Sequence, residues 1–315
     1  MSNQQSSQTS AQSDNAPGTP NGRWRLDGSW EYHRPKNSWP RWLKRLIAVL
    51  AAFIGFYALL VFGAFAFQNN LIYFPDRRTP PPASEVLATA QDITLQTADG
   101  LELGAWWVTP PAHIERREQV VLYAGGNAGN REGRSQLAFF LALRGFDVLS
   151  FDYRGFGGNP GTPSEQGLAL DAQAALAAIH ARGYANHQII YFGESLGAAV
   201  VARLAVTDPP AAVILRSPFD SLDAVARWHF PFLPTRLILR DHYPVAAQMP
   251  DIQAPVLVLY GMSDRTVPRI QSIAVAEAAP TLWRSVPFLG AGHNDSLWWG
   301  MRIVDLVESM ADAVG

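Results

Sequence analysis

The 315-residue sequence contains no cysteine, which excludes disulfide bonds, a cysteine nucleophile and thiolate ligation of a metal. A cysteine-free chain is compatible with oxidising and reducing compartments alike, so this absence does not decide the location. Charged residues are scarce at 17%, and the formal net charge is −2. No broad basic surface is available to neutralise phosphates, which argues against a nucleic-acid partner.

The N-terminal 40 residues lack the apolar periodicity of a helix or a strand and are rich in Gln, Ser, Asn, Gly and Pro. Such a segment buries too little apolar surface to compensate for the entropy of ordering, so residues 1–40 are predicted to form a disordered tail. Trp24, Trp30 and Trp39 lie among basic residues, and contact with lipid headgroups is the alternative interpretation of these positions.

A long uncharged run follows, from Leu46 to Phe67, and contains 22 residues. At helical rise it spans about 33 Å, enough to cross the hydrocarbon layer of a bilayer. A buried core helix is one alternative, but it would normally carry polar residues along one face. A signal peptide cleaved near Ala64-Phe65-Ala66 is another, but this run and the segment before it are longer than usual for one. We therefore predict a permanent transmembrane anchor over residues 41–67.

The basic residues around this run predict its orientation. Two arginines, Arg77 and Arg78, follow it closely. Seven basic residues precede it: Arg23, Arg25, Arg34, Lys36, Arg41, Lys44 and Arg45. This excess predicts a cytoplasmic N-terminus, with the rest of the chain on the periplasmic or extracellular side. The proline-rich residues 68–85 are predicted to be a short stiff linker.

Residues 86–315 alternate apolar strand-like runs with amphipathic helix-like runs. The first two strands are joined by a turn at Asp99-Gly100, and the later alternation predicts an α/β domain with helices on both faces of a mostly parallel sheet. Between two of the strands lie 38 residues, Ser217–Ala254, more than one helix requires. This stretch forms either a cap over the site or packed structure of the domain, and both interpretations stay open.

The segment Gly193-Glu194-Ser195-Leu196-Gly197 has the pattern G-x-S-x-G. It follows a strand-like run and opens a helix-like run, the context in which this pattern forms a sharp turn that exposes a nucleophilic serine. The first amides of the helix would stabilise negative charge beside the hydroxyl. We predict that Ser195 is the nucleophile; a serine with a structural role is the alternative.

A serine nucleophile requires a base, and the base requires an acid that orients it. On such a sheet their order along the chain is Ser, then Asp or Glu, then His. His293 follows the last strand-like run, in a glycine-containing loop. Asp264 follows an earlier strand-like run and precedes His293 by 29 residues, room for one helix and one strand. We predict His293 as the base and Asp264 as the acid, with Asp241 as the second candidate.

An oxyanion formed at the serine needs two backbone N–H donors. The amide of Leu196, directly after the nucleophile, is the first predicted donor. The second is the amide of Asn127, in the loop 124–130, where paired glycines let the backbone approach a ligand closely. A phosphate-binding loop is the less favoured alternative, because neither a G-x-G-x-x-G nor a Walker pattern occurs there.

In combination these motifs resemble those of the α/β-hydrolase superfamily, and more narrowly its membrane-anchored, single-pass branch related to serine aminopeptidase-like hydrolases. The segments that carry the resemblance are Gly126-Asn-Ala-Gly-Asn130, Phe151-Asp-Tyr-Arg-Gly-Phe-Gly157, Gly161-Thr-Pro-Ser-Glu165, Gly193-Glu-Ser-Leu-Gly197, Gly261-Met-Ser-Asp264, Gly292-His-Asn-Asp295 and, after the apolar run, Leu71-Ile-Tyr-Phe-Pro75. It covers roughly residues 45–312 and implies the α/β-hydrolase fold with a triad of Ser195, Asp264 and His293. The family usually has His-Gly where this chain has Gly125-Gly126.

Two functions of different classes are compatible with these features. The first is hydrolysis of an ester, thioester or amide through an acyl-enzyme, without a metal or organic cofactor. It would resemble a carboxylesterase, lipase or thioesterase more than a peptidase, and act on a small-molecule or lipid acyl substrate. The alternative is a noncatalytic, membrane-tethered binding or scaffold protein that retains the fold. Besides the substrate, the bilayer is the predicted partner, and no oligomeric state is predicted.

Overall fold

The computed structural model describes residues 22–32 and 39–315, which form two compact units divided between Leu59 and Leu60. Most of the predicted disordered tail, residues 1–21 and 33–38, lies outside the described residues.

The described part of the tail forms a two-stranded antiparallel hairpin, β1 (Gly22–Trp24) and β2 (Trp30–Tyr32). The turn between the strands contains Gly28 at φ = +82°, a conformation that glycine adopts without steric cost. The guanidinium of Arg25 also pairs with Glu31 at 2.8 Å. A turn glycine and an ion pair between the turn and β2 thus give local order where composition predicted irregular chain.

Helix α1 (Arg41–Ala66) contains most of the uncharged run. Its most apolar window of 18 residues has a mean hydropathy of 2.6, and none of that window is buried. By length and composition the helix could cross a membrane.

The second unit continues through ten helices: α2 (Gln68–Ile72), α3 (Ala83–Val86), α4 (Ser135–Ala142), α5 (Glu165–His180), α6 (Leu196–Thr207), α7 (Leu222–His229), α8 (Thr235–Ile238), α9 (Val245–Gln248), α10 (Arg269–Ala278) and α11 (Met301–Val314). Its strands are β3 (Phe74–Pro75), β4 (Ala90–Gln96), β5 (Glu102–Val108), β6 (Val120–Ala124), β7 (Ala128–Gly129), β8 (Asp147–Phe151), β9 (Ile189–Glu194), β10 (Ala212–Arg216), β11 (Val256–Gly261) and β12 (Leu282–Phe288). Ser164 and Ser221 cap α5 and α7 by accepting hydrogen bonds from backbone N–H groups of the first turn.

Eight of these strands form one sheet in the order β12-β11-β10-β9-β6-β8-β5-β4. Strand β5 runs antiparallel to both of its neighbours, and the other pairs are parallel. On β6, Val120 and Leu122 belong to one hydrophobic cluster and Val121 and Tyr123 to a second, because successive strand residues point to opposite faces. Helices α5 and α6 cover the first face, and α4 and α11 cover the second. The predicted α/β class with a mostly parallel sheet is confirmed.

Residues 68–75 lie within the predicted linker, but in the structure they belong to the second unit and pack against its hydrophobic core. Strand β3 pairs with β7 in parallel, and Tyr73 is buried. The Tyr73 hydroxyl donates to the Asp241 carboxylate at 2.6 Å and lies 2.8 Å from the Tyr243 hydroxyl. Burial, the Tyr243 hydroxyl and the charge of Asp241 raise the pKa of Tyr73 well above its usual value, so Tyr73 remains a donor. Side-chain contacts with distant residues therefore hold residues 68–75 in place.

The stretch 217–254 divides into two parts with different environments. Its second part packs into the core, where Val245 and Met249 are buried against the face covered by α6. Its first part, residues 222–240, which we call the cap segment, contains α7 and α8. Helix α7 has no fully buried residue, and both helices contribute to a cavity beside Ser195.

Candidate active site

Ser195 lies at a sharp turn between β9 and α6. Its backbone is strained, with φ = 51° and ψ = −110°, a conformation that non-glycine residues rarely adopt. The flanking glycines allow this turn: a Cβ on Gly193 would come within 2.4 Å of the Gly197 carbonyl oxygen. A Cβ on Gly197 would come within 2.2 Å of the Ala124 carbonyl oxygen. The chain therefore needs glycine at both positions to present the hydroxyl at the end of β9.

Ser195 and the two other predicted triad residues lie in hydrogen-bonding contact. The His293 Nδ1 atom is 2.7 Å from Asp264 Oδ2, and His293 Nε2 is 3.0 Å from Ser195 Oγ. A carboxylate can only accept a hydrogen bond, so the hydrogen atom of this bond is carried by Nδ1, which donates to Asp264. In the neutral imidazole Nε2 is then an acceptor, and it faces the serine hydroxyl. This arrangement can draw the proton from Ser195 Oγ.

Asp264 is held in place by its second carboxylate oxygen. Oδ1 accepts from the backbone N–H groups of Thr266 and Val267, at 2.9 and 2.8 Å. These bonds leave Oδ2 directed at His293. The side chains of Asp264 and His293 are nearly buried, at 1% and 8% exposure, so the charge–dipole interaction between them is weakly screened by water.

The second candidate acid, Asp241, lies in another environment. Its carboxylate accepts from the Tyr73 hydroxyl and from the backbone N–H of Glu165 at 3.0 Å. Asp241 directly follows the cap segment, and these contacts attach it to residues 68–75 and to the start of α5. Its hydrogen-bond partners in the structure do not include His293.

The two predicted oxyanion donors border the same cavity as the nucleophile, whose lining includes Asn127, Ser195 and Leu196. The Asn127 side chain donates to the Ile72 carbonyl at 2.9 Å, and its own carbonyl accepts from Phe74 N–H at 2.8 Å. The segment after α1 thereby fixes the position of the Asn127 backbone. The role of the two amides stays a prediction.

A cavity of about 230 Å³ opens beside Ser195. Most of its lining is apolar and comes from α1, α2, the cap segment and the loop before α10. It includes Ala64, Leu71, Phe74, Leu222, Val225, Phe230, Leu233, Ile238 and Val267. His229 also borders it, but its ring donates to the Thr266 carbonyl at 2.9 Å. Among the described residues, no group of three or more His, Asp or Glu side chains is arranged to hold a metal.

This chain is similar to a known protein family, to proteins of known sequence and to a solved structure. Residues 115–237 match the family described as serine aminopeptidase, S33. An uncharacterized protein of Mycobacterium tuberculosis, MT2364, is 47% identical over 76% of this chain and 86% of its own length. The lysophosphatidylserine lipase ABHD12 of Rattus norvegicus is 31% identical over 75% of this chain and 69% of its own length. The solved structure of the Pyrococcus furiosus esterase Pf2001 superposes with a TM-score of 0.64 at 20% identity, covering 78% of this chain and 99% of that one.

The chain belongs to the α/β-hydrolase superfamily. Within it, the matched segment is serine aminopeptidase-like, and one of the relatives is named as a lipase.

This α/β-hydrolase has an arginine beside the position where the family usually has histidine. A Cβ on Gly125 would lie 3.1 Å from Nε of Arg134, so a larger side chain at position 125 would displace that guanidinium. Arg134 donates to the carbonyls of Ala128 and Asn130, at 2.6 and 2.9 Å, and so braces the loop that carries Asn127. In this chain the Arg134 guanidinium occupies the space that a side chain at position 125 would enter.

A buried charged network behind Ser195 was missed by sequence reasoning. Glu194 accepts from the Tyr123 hydroxyl and lies 3.3 Å from Nη2 of Arg216. Nη1 of the same arginine donates to the His293 carbonyl at 2.6 Å. Burial and the Glu194 charge raise the pKa of Tyr123 well above its usual value, so it remains a donor. The indole of Trp298 donates to the Gly292 carbonyl at 2.7 Å, adding a second attachment to the histidine loop.

Proposed function

We propose that this α/β-hydrolase is a membrane-anchored serine hydrolase that cleaves an acyl ester or thioester through an acyl-enzyme on Ser195. The observation that carries the proposal is the continuous hydrogen-bonded series Asp264–His293–Ser195 beside an apolar cavity. A serine of merely structural role would not need a strained turn that directs its hydroxyl at an oriented imidazole.

In the first half-reaction, His293 Nε2 takes the hydroxyl proton as Ser195 Oγ attacks the acyl carbonyl carbon. Asp264 stabilises the imidazolium that forms, without itself accepting the proton. The tetrahedral oxyanion is stabilised by the N–H groups of Leu196 and Asn127 and by the N-terminus of α6. Collapse of this intermediate breaks the bond to the leaving group, which receives the proton from His293.

In the second half-reaction, His293 accepts a proton from a water molecule as that water attacks the acyl carbon. The same oxyanion donors stabilise the second tetrahedral intermediate. Its collapse releases the carboxylic acid and returns the proton to Ser195 Oγ. One water molecule is consumed per acyl group transferred, and no electron carrier is needed.

The lining of the cavity supports an acyl chain as the group bound beside Ser195. Apolar side chains recognise a hydrocarbon chain by removing its surface from water. One relative is named as a lysophosphatidylserine lipase, which supports ester substrates over peptides. The cavity can specify the acyl group of the substrate, because its lining residues are mostly apolar. They offer few polar groups that could specify a leaving group.

Replacing either residue of the Ser195–His293 pair tests this function. Ser195→Ala and His293→Ala should each lower kcat on a chromogenic acyl ester by about 10⁴-fold or more, because the two act as a unit. Circular dichroism and the melting temperature should stay close to those of the wild type. A Ser195→Ala protein with wild-type turnover would contradict the enzyme and leave the binding or scaffold alternative.

The proposed orientation has the N-terminus in the cytoplasm and the hydrolase unit on the periplasmic or extracellular side. It rests on the lysines and arginines that precede the uncharged run Leu46–Phe67, which resist translocation. A reporter that is active only outside the cytoplasm, fused after Gly315, should therefore be active. Neutralising Arg41, Lys44 and Arg45 while adding Asn70→Lys should weaken or invert that result. Activity of a cytoplasm-only reporter on the wild-type chain would overturn the orientation.

A further inference from the structure

Exposed apolar side chains surround the mouth of the cavity. Leu71, Phe74 and Phe230 line the cavity and are also 55%, 54% and 43% exposed. Trp228 and Leu237, in the same two helices α7 and α8 that contribute to the cavity lining, are 62% and 85% exposed. We call these five residues the mouth patch. Exposed apolar surface of this kind, contiguous with a ligand cavity, marks an interaction site.

The cap segment is fastened to the C-terminal end of α1. The guanidinium of Arg240 lies 4.4 Å from the centre of the Phe65 ring. The Gln68 amide donates to the Ile238 carbonyl at 3.1 Å and accepts from Arg240 N–H at 2.8 Å. Ala64, in the last turn of α1, is itself part of the cavity wall. The mouth patch therefore lies beside the point at which the apolar helix ends.

This position determines the environment of the patch if α1 spans the membrane. The end of a span lies at the boundary between hydrocarbon and headgroups, where aromatic and basic side chains are favoured. The cap segment has three arginines, Arg227, Arg236 and Arg240, and one acidic residue, Asp223. Its mixture of exposed aromatic, aliphatic and basic side chains is typical of surfaces that lie in a bilayer interface.

We propose that the mouth patch docks into the leaflet at which α1 emerges, so that the cavity opens to the bilayer and an acyl chain reaches Ser195 from the membrane. The substrate class is then an acyl ester or thioester whose chain resides in the bilayer. This inference rests on the proposed function for the chemistry at Ser195 and on α1 as a span for the location of the patch.

The depth of the patch can be measured on the full-length chain in vesicles of phosphatidylcholine and phosphatidylglycerol. The chain has no cysteine, so Leu237→Cys introduces a single thiol for an environment-sensitive fluorophore. Leu237 is 85% exposed and is not part of the cavity lining. His187→Cys is the matched control: it is also exposed, and it precedes β9, about 20 Å of strand away from Ser195.

We expect the label at position 237 to emit at shorter wavelength in vesicles and to be quenched by lipids spin-labelled near the headgroup. The label at position 187 should emit as in water and resist that quenching. Water-like emission at both positions would overturn docking. This result does not depend on catalysis, so it stands even if Ser195 proves unreactive.

Turnover of two substrates tests the consequence for catalysis. The double variant Trp228→Ser, Leu237→Ser should hydrolyse a long-chain ester embedded in the vesicles about tenfold more slowly, because burial of apolar surface in the leaflet is lost. Its rate on a short, water-soluble ester should equal that of the wild type. Equal rates on both substrates, or equal losses on both, would overturn the proposal. Failure of the wild type on both would instead refute the proposed function.

Discussion

The two sides of the active-site cavity are built in different ways. On one side, Ser195, Asp264 and His293 follow β9, β11 and β12, are nearly buried, and are each fixed by hydrogen bonds from rigid elements. On the other side, the cap segment consists of two short helices, and much of its apolar surface is exposed. In the proposed function, the sheet side carries out the reaction and the cap side selects the acyl groups that reach it.

Beyond the Ser195–His293 pair itself, the largest loss should come from the acid on the sheet side. Asp264→Asn should lower kcat by about 10⁴-fold, because an amide facing Nδ1 favours the imidazole tautomer that cannot accept the serine proton. Asp241→Asn is the matched control, and its kcat should remain close to that of the wild type. Steady-state kinetics on a chromogenic ester measure both. The roles of the two carboxylates would be exchanged if only Asp241→Asn were inactive.

A smaller loss should follow from loosening the histidine loop. Arg216→Lys keeps the positive charge near Glu194, but an ammonium cannot reproduce the fork that reaches Glu194 and the His293 carbonyl together. We expect kcat to fall about 10- to 100-fold with KM nearly unchanged, since small displacements of a reacting group are costly.

Arg203→Lys, at a partly exposed position on α6, is the control for this experiment and should leave kcat unchanged. A merely structural role for Arg216 would appear as a lower melting temperature with normal kcat, and that outcome would contradict positioning of His293.

The smallest effect is expected on the cap side, where selectivity rather than rate should change. Val225 lines the cavity from α7, and Val225→Phe would occupy part of it. The ratio of kcat/KM for an octanoyl ester over an acetyl ester should fall about tenfold, the scale on which hydrophobic pockets discriminate chain length. Leu237→Phe, outside the lining, should leave the ratio unchanged. If both variants behave alike, the cavity does not bind the acyl chain.

The sheet side was also the more predictable one. The G-x-S-x-G segment is local in sequence, and its strand–turn–helix context determines where the serine lies. Asp264 could be preferred to Asp241 because parallel strands bring their carboxyl ends to one edge of the sheet. These arguments need only the succession of strands and helices along the chain, which hydrophobic periodicity indicates.

The remaining features depend on contacts between residues distant in the chain. The pairing of Glu194 with Arg216, and of Arg216 with the His293 carbonyl, joins three separate strand ends and has no local signature. Tyr73 is buried by Asp241 and Tyr243, about 170 residues away, although its proline-rich surroundings predicted a linker. The departure at Gly125 is visible in the sequence, but only the structure shows that the Arg134 guanidinium occupies that space.

The central claim is that the Asp264–His293–Ser195 series activates Ser195 for attack on an acyl group. Labelling of the full-length chain with a fluorophosphonate probe tests it most directly, because this reagent reacts only with an activated serine. The account predicts one labelled peptide, containing Ser195, with labelling abolished in Ser195→Ala and strongly slowed in His293→Ala. An unlabelled wild-type protein, or label on another serine, would contradict it.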